Sequence, residues 1–569
     1  MSLHRWESQA QRGRDILNNS IPKQWLAPTD TLPPATQKNV IDFPRKSGLL
    51  SERELSITEL SATQLVTEMG GGKLKAEEVV IAFLKRAVLG HQLLNFATEF
   101  MADQAISRAK ELDAYFQRTG KLVGPLHGVP ISVKEHVELK NRTCNTGYVA
   151  WVDQIATEDA YLVQLLSNAG AVFHVRTNQP QTLMHLCCVN NITGATLNPY
   201  NRTLTPGGSS GGEGASTGFK CSPLGIGTDI GGSIRVPAAF CGSYGFRPTS
   251  MRLPRAGLKV AASGQETING VVGPLASSSL EDIELFQKAV LDQEPWDTET
   301  SLAPVPWKTV TPNRNMTVGI MWDDGCVRPH PPIVRGLKLA KEKLLAAGIK
   351  VVDWEPYKHD HGYNIIVSYE LASRIDHKLL THISKQSSLY YPDSAALQRK
   401  IIRESGEPVL PLSDWVFNFS RSSPLSHPEA WELQHDRDVY RDDYNALMKS
   451  RGVDFILSPA YPGVAAVYGE SHYWNYTAIW NVLDLPAAIF PSGISVDPKL
   501  DALTEQDKKY KPRSEVDERE WEKYQGPDRY EGAPVALQVT GRHFKDEETL
   551  AAAKLVEEVI KGGKKDSKL

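Results

Sequence analysis

Cysteine is scarce in this chain: Cys144, Cys187, Cys188, Cys221, Cys241 and Cys326 are the six thiols among 569 residues. They are few for this length and none pair at the CxxC spacing that suits zinc or a redox dithiol, so reduced, core-packed thiols are expected. Cys187 and Cys188 are the two to weigh as nucleophiles. No run of 18 apolar residues occurs, and the N-terminal MSLHRWESQAQRGRDILNN lacks an apolar signal core, so neither membrane insertion nor secretion is expected. Charge of either sign is not in excess: 63 Lys and Arg against 67 Asp and Glu give a net charge of -4. That removes the sequence-wide cationic field with which proteins hold nucleic acid or anionic lipid, and favours a small neutral partner. HExxH and GxxxxGK[ST] are missing, and dinucleotide-type glycine patterns fail at Thr217 and Ile230. His359-Asp360-His361 reads as a polar loop rather than a metal site, so no metal or cofactor is expected.

What is present is an ordinary globular composition, 41% hydrophobic and 23% charged, with length enough for a large core. Residues 75–95 (KAEEVVIAFLKRAVLGHQLLN) and 102–118 carry apolar residues at three-to-four spacing and are expected as helices. LHGVPISVKEHV alternates like a strand, 160–171 reads as a helix closed by Gly170, and AVFHVRTN follows as a strand. MTVGIMW, RGLKLAKEKLLAAG and IKVVDW repeat that rhythm after an irregular stretch at 292–315. The alternation predicts an α/β fold, and the lack of a long low-complexity linker predicts one domain. The expected divisions are a helical and irregular arm over 1–60, a main domain over 61–560 with a charged surface insertion at 497–531, and a flexible tail over 561–569.

Glycine is concentrated in TPGGSSGGEGASTG (205–218) and LGIGTDIGGSIRVPAAFCG (224–242). Such density means close backbone approach or left-handed turns. Each run holds a Gly-Gly-Ser, ending at Ser209 and Ser233, which sets a hydroxyl directly after a turn. Such turns are where nucleophiles can be placed, and two further readings of these runs compete. GGSSG can be a GxSxG elbow with Ser209 as nucleophile, which demands a His and an acid later in the chain. Alternatively, both runs are structural turns. Lys134 changes the weighing, because it ends the apolar stretch GVPISVK, where a lysine is costly unless it is used or paired. A desolvated lysine loses its proton near neutral pH and can serve as a base for serine.

Taken together, VPISVKE, GGSSGGEGA and GIGTDIGGSIRVPAAFCG resemble the signature of the amidase-signature family, with a Lys134, Ser209 and Ser233 spacing similar to that of fatty-acid amide hydrolases. The flanks VIDFPRKSGLLSERELSITE, GQETINGVVGP, RPHPPIVRG and APVALQVTGR resemble fungal general amidases of the acetamidase type over nearly the whole chain. The resemblance implies a single α/β domain built on a large twisted mixed sheet flanked by helices. It also implies hydrolysis of a carboxylic amide with Ser233 as nucleophile, Ser209 as proton shuttle on a cis peptide and Lys134 as base. Backbone N–H groups of Ile230, Gly231, Gly232 and Ser233 are candidates for the oxyanion site, aided by a helix starting in SIRVPAAF. Asp229 and Arg235 are expected to form an ion pair that holds the loop. Met184 and His185, beside the Cys187-Cys188 pair, are candidates for the acyl pocket. The rivals are an amidotransferase subunit of the same fold and a non-enzymatic Gly-rich binding protein. A homodimer is compatible with the sequence. The ending Ser567-Lys568-Leu569 matches a peroxisomal address, so an import receptor is an expected partner and the peroxisome the expected location, with the cytoplasm as the alternative.

Overall fold

The structure is a computed structural model that describes residues 5–366, 389–418 and 420–562. The Ser567-Lys568-Leu569 ending lies outside the described residues. In chain order the strands are β1 (Ala97–Phe100), β2 (Pro130–Lys134), β3 (Val172–Thr177), β4 (Val189–Asn190), β5 (Gly194–Ala195), β6 (Leu224–Asp229) and β7 (Tyr244–Arg247). They continue with β8 (Val271–Ala276), β9 (Thr317–Ile320), β10 (Lys350–Asp353), β11 (Phe455–Pro459), β12 (Ala487–Ser495) and β13 (Pro534–Thr540). β4 and β5 form a small antiparallel pair. The others make one 11-stranded sheet in the order β1-β3-β2-β6-β8-β7-β12-β13-β11-β9-β10. It is mixed: β3, β2 and β6 run parallel, β8, β7, β12, β13 and β11 alternate in direction, and β11, β9 and β10 are parallel again.

Side-chain alternation along the strands builds two cores, one on each face. Ala488 and Phe490 join Leu537 and Val539 under the helices Leu280–Leu291, Pro331–Ala346 and Asp546–Lys561. Ile489, between them in sequence, points the other way, into the cluster that holds Ile234 and the helix Asn475–Val482. The helices expected at 75–95 and 102–118 are found as Ala76–Leu94 and Ala102–Thr119. Gly170, at φ +94, follows the helix Tyr161–Asn168 as its left-handed stop.

The N-terminal 5–60 stretch is not detached: Leu17, Val40, Leu50 and Leu55 are buried with Val79 and Phe83 of the helix Ala76–Leu94. The 497–531 segment links β12 to β13, and its acids are partly turned inward. Asp501 is fully buried against Arg335, whose Nε is 2.7 Å from its Oδ1, and the buried Asp517 accepts from the backbone N–H of Arg328 at 2.9 Å. His359-Asp360-His361 is not a loop. It opens the helix His359–Ile366, with the His359 ring buried, its Nε2 3.1 Å from the Tyr444 hydroxyl and its edge against Trp480.

Candidate active site

β2 and β6 lie side by side in parallel register, Ile131 opposite Leu224 and Val133 opposite Ile226, so their carboxyl ends finish together. The next neighbour, β8, runs the other way. β2 has β3 on one side and β6 on the other, and the crevice outside the carboxyl ends at such a reversal of strand order is where open α/β sheets place ligands. Lys134, the last residue of β2, rises into it, fully buried, with Nζ 2.7 Å from Ser209 Oγ and 2.9 Å from Thr228 Oγ1. Burial pushes its pKa down to about 7, against the pull of Cys188, Asp229 and Glu213.

The carboxyls nearby do not offer Lys134 a counterion. Glu213 lies beneath it, bonded by the hydroxyls of Ser132 and Thr177, and burial raises its pKa to about 8, so it is mostly protonated at neutral pH. Asp229 is engaged elsewhere. Its two oxygens each lie 3.0 Å from the Arg235 guanidinium, at Nη2 and Nε, and Asn481 Nδ2 donates to Oδ1 at 2.9 Å. Burial acts to raise the Asp229 pKa, but the Arg235 charge and these hydrogen bonds outweigh it and hold the carboxylate well below its ordinary range.

Asp229 also settles what the loop after β6 can do. It accepts from the backbone N–H of Gly232 at 2.8 Å and Ile234 at 3.1 Å, with the Arg235 N–H at 3.5 Å. The Gly232 N–H is thus occupied and does not face the cavity as a free donor, contrary to the expectation for it. The helix expected to begin in SIRVPAAF is short, Arg235–Phe240, and the N–H groups at its start turn to Asp229 as well. Carbonyls on the same loop are anchored: Tyr390 donates to Ile230 O at 2.9 Å and Thr477 Oγ1 to Gly231 O at 2.7 Å. Because a trans peptide points its N–H opposite its C=O, the first of these bonds aims the Gly231 N–H away from Tyr390. The N–H groups of Ile230, Gly231 and Ser233 make no hydrogen bond to a described residue. Gly232 sits at φ +125, and a Cβ there would come within 2.2 Å of Thr477 Oγ1. Only glycine fits that turn.

The first glycine run brings Ser209 to the same place. A Cβ on Gly208 would meet His185 O at 2.5 Å, and the Gly208-Ser209 peptide is cis. Ser210 donates its N–H to Ser233 O at 3.1 Å, tying the two Gly-Gly-Ser turns together. Ser209 and Ser233 line one cavity of about 120 Å³ with His136, Met184, Ile230 and Tyr390. Met184 is therefore on the wall. His185 is not: it is buried outside the cavity, and burial pushes its pKa down to about 3. Cys187 and Cys188 are also off the wall, and burial raises the Cys188 pKa to about 12, which keeps it a thiol. The partner of Ser209 is a lysine and not the histidine that an elbow nucleophile requires.

The matching family model, described as Amidase, covers residues 78–550. The chain belongs to the amidase family. Its relatives in that family include the acetamidase of Emericella nidulans, 40% identical and covering 98% of both chains, and that of Aspergillus oryzae, 38% identical over 98% of this chain and 99% of the relative. Among solved structures it is similar to a fatty acid amide hydrolase, 40% identical, with a TM-score of 0.90 over 97% of this chain and 95% of that one. The mixed sheet with helices on both faces is thus the architecture of the amidase family, and the protein is an amide hydrolase. No helix among the described residues is long and apolar enough to cross a membrane.

The sequence does not single out Thr228, His136, Glu213, Tyr390, Thr477 or Asn481. For two of them a signal exists: His136 follows Lys134 by two positions, the strand period that puts both on one side, and Thr228 directly precedes Asp229.

Proposed function

We propose that this amidase hydrolyses small aliphatic or aryl amides to a carboxylate and ammonia or an amine, with Ser233 as nucleophile, Ser209 as proton shuttle and Lys134 as base. The observation that carries this reading is the buried Lys134 amine, pushed down to about 7 and 2.7 Å from Ser209, in a cavity shared with Ser233. As Ser233 Oγ bonds to the amide carbon, its proton passes to Ser209 and the Ser209 proton to Lys134, while the carbonyl electrons move onto oxygen. The N–H groups of Ile230, Gly231 and Ser233 are suited to receive that oxyanion. Lys134 then returns its proton through Ser209 to the leaving nitrogen as the C–N bond breaks. Water then bonds to the acyl carbon and gives a proton along the same relay to Lys134, and that proton returns through Ser209 to Ser233 Oγ as the acyl–oxygen bond breaks and the acid leaves.

The small cavity, lined by Met184, Ile230 and Tyr390, and the acetamidase relatives support a short acyl group. Relatives matching 98% of the chain favour a self-sufficient amidase over an amidotransferase subunit. A panel of short aliphatic and aryl acetamides, assayed for ammonia or amine release, tests the assignment: turnover of at least one is expected, and none across the panel overturns it.

Ser209→Ala is expected to lower kcat by about 10²- to 10⁴-fold, the range for loss of a proton-transfer group. The loss should be smaller than that from removing Ser233, since water can bridge a relay but cannot form the acyl-enzyme. A fluorophosphonate probe should label Ser233 of the wild-type enzyme, and finding the adduct on Ser209 instead reverses the two roles.

For location, Ser567-Lys568-Leu569 supports a peroxisomal address. An N-terminal fluorescent fusion should colocalise with a peroxisomal marker, and removing the tripeptide should leave it diffuse with unchanged activity. Diffuse signal from the intact protein counts against the address.

A further inference from the structure

The buried hydrogen-bond line through Lys134 does not stop at Thr228. Thr228 Oγ1 lies 2.9 Å from His136 Nε2, and His136 Nδ1 lies 3.1 Å from the backbone oxygen of Lys259. A carbonyl only accepts, so Nδ1 carries the ring hydrogen. His136 is 1% exposed, and burial, joined by the nearby Lys134 charge, pushes its pKa well below the ordinary value, so the ring is neutral and Nε2 offers a lone pair. Thr228 must then donate to His136, which leaves the Thr228 oxygen as an acceptor toward Lys134 Nζ at 2.9 Å.

We infer that His136 is a positioning residue for the amidase reaction: by accepting the Thr228 hydrogen, it makes Thr228 accept from Lys134 and leaves the amine lone pair for Ser209. The hydrogens then all point one way, from Ser209 to Lys134, from Lys134 to Thr228 and from Thr228 to His136. Without the imidazole acceptor, the Thr228 hydroxyl is free to turn and donate to Lys134. It then occupies the lone pair that has to take the Ser209 proton. His136 touches neither of the reacting serines in this scheme and acts through Thr228. The inference rests on the reading of Lys134 as the base.

Gln and Met at position 136 separate this role from simple packing, because they have similar shape and only Gln offers an acceptor near the place of Nε2. His136→Met should lower kcat by about 10- to 100-fold with KM changed less than about twofold, and His136→Gln should recover most of the loss. In a Thr228→Val background the difference between Met and Gln should vanish, since no hydroxyl remains to orient. Equal losses in Met and Gln, or a Met penalty that persists in the Thr228→Val background, overturn the inference. So does a neutron structure of the wild-type enzyme with the ring hydrogen on Nε2, a readout that does not require either variant to fold. The base assignment fails separately, if Lys134→Met keeps wild-type kcat, whereas the comparison at position 136 is a ratio between active enzymes.

Discussion

Ser233→Ala should leave a folded protein that no longer hydrolyses amides. Ser233 is buried beside the cavity and its β-carbon is retained in the variant, so the change in stability should stay within about 1 kcal/mol. The loss in kcat should be on the order of 10⁵- to 10⁶-fold, the scale seen when a serine nucleophile is deleted from an enzyme whose oxyanion site remains. Ammonia release and thermal unfolding measured on one preparation check both halves. Turnover near wild type would remove Ser233 from the mechanism, and a large drop in Tm would recast it as a packing residue.

Lys134 should produce the other large effect, in two opposite senses. The base works only when neutral, so kcat should rise with pH through about 7 and fall about tenfold per unit well below it, the slope of a single proton. A flat profile down to about pH 5.5 excludes a lysine base. Stability follows from the same titration. The unfolded chain holds the proton up to about 10.5 and the folded chain only to about 7, so between these values unfolding takes up a proton and stability rises with pH. At pH 7 the wild-type protein therefore carries a penalty of about 5 kcal/mol, at about 1.4 kcal/mol per pH unit. Lys134→Met removes that penalty and loses the bonds to Ser209 and Thr228, about 1 kcal/mol each. The variant should lose about 10²- to 10⁴-fold in kcat and gain about 2 to 3 kcal/mol in stability at pH 7. Denaturant titration at pH 7 and pH 10 checks the sign: the gain should shrink toward pH 10.

The parts of this site that can be read from the sequence are those whose peculiarity is local. A lysine ending an apolar strand is anomalous within a few residues of itself, and two Gly-Gly-Ser turns between Gly207 and Ser233 stand out against an average composition. The partners that fix these residues have no such mark. Tyr390, Thr477 and Asn481 lie more than 150 positions from the loop they hold, in apolar or aromatic segments that look like ordinary core. Gly232 reads as a free donor because periodicity and spacing do not show where a neighbouring carboxylate folds back. The 359–361 stretch reads as a loop from its polarity, whereas stacking of the buried His359 ring on Tyr444 and its edge contact with Trp480 settle a helix there. Charge counts also say nothing about direction, which is why the acids of 497–531 look solvated in the sequence when Asp501 and Asp517 face inward.

The strand order carries a consequence for how the molecule comes into being on the ribosome. β13, the last strand made, lies inside the sheet between β12 and β11, and Asn481 and Thr477, which clamp the loop bearing Ser233, are translated some 240 residues after it. The nascent chain therefore emerges with Lys134, Ser209 and Ser233 all present and the sheet still split in two. Closure waits for β13, so the sheet that carries the site is completed only after the strands bearing Lys134 and the loop bearing Ser233 have long been made, and growing chains that lack β13 stay dependent on whatever shields their unpaired strand edges.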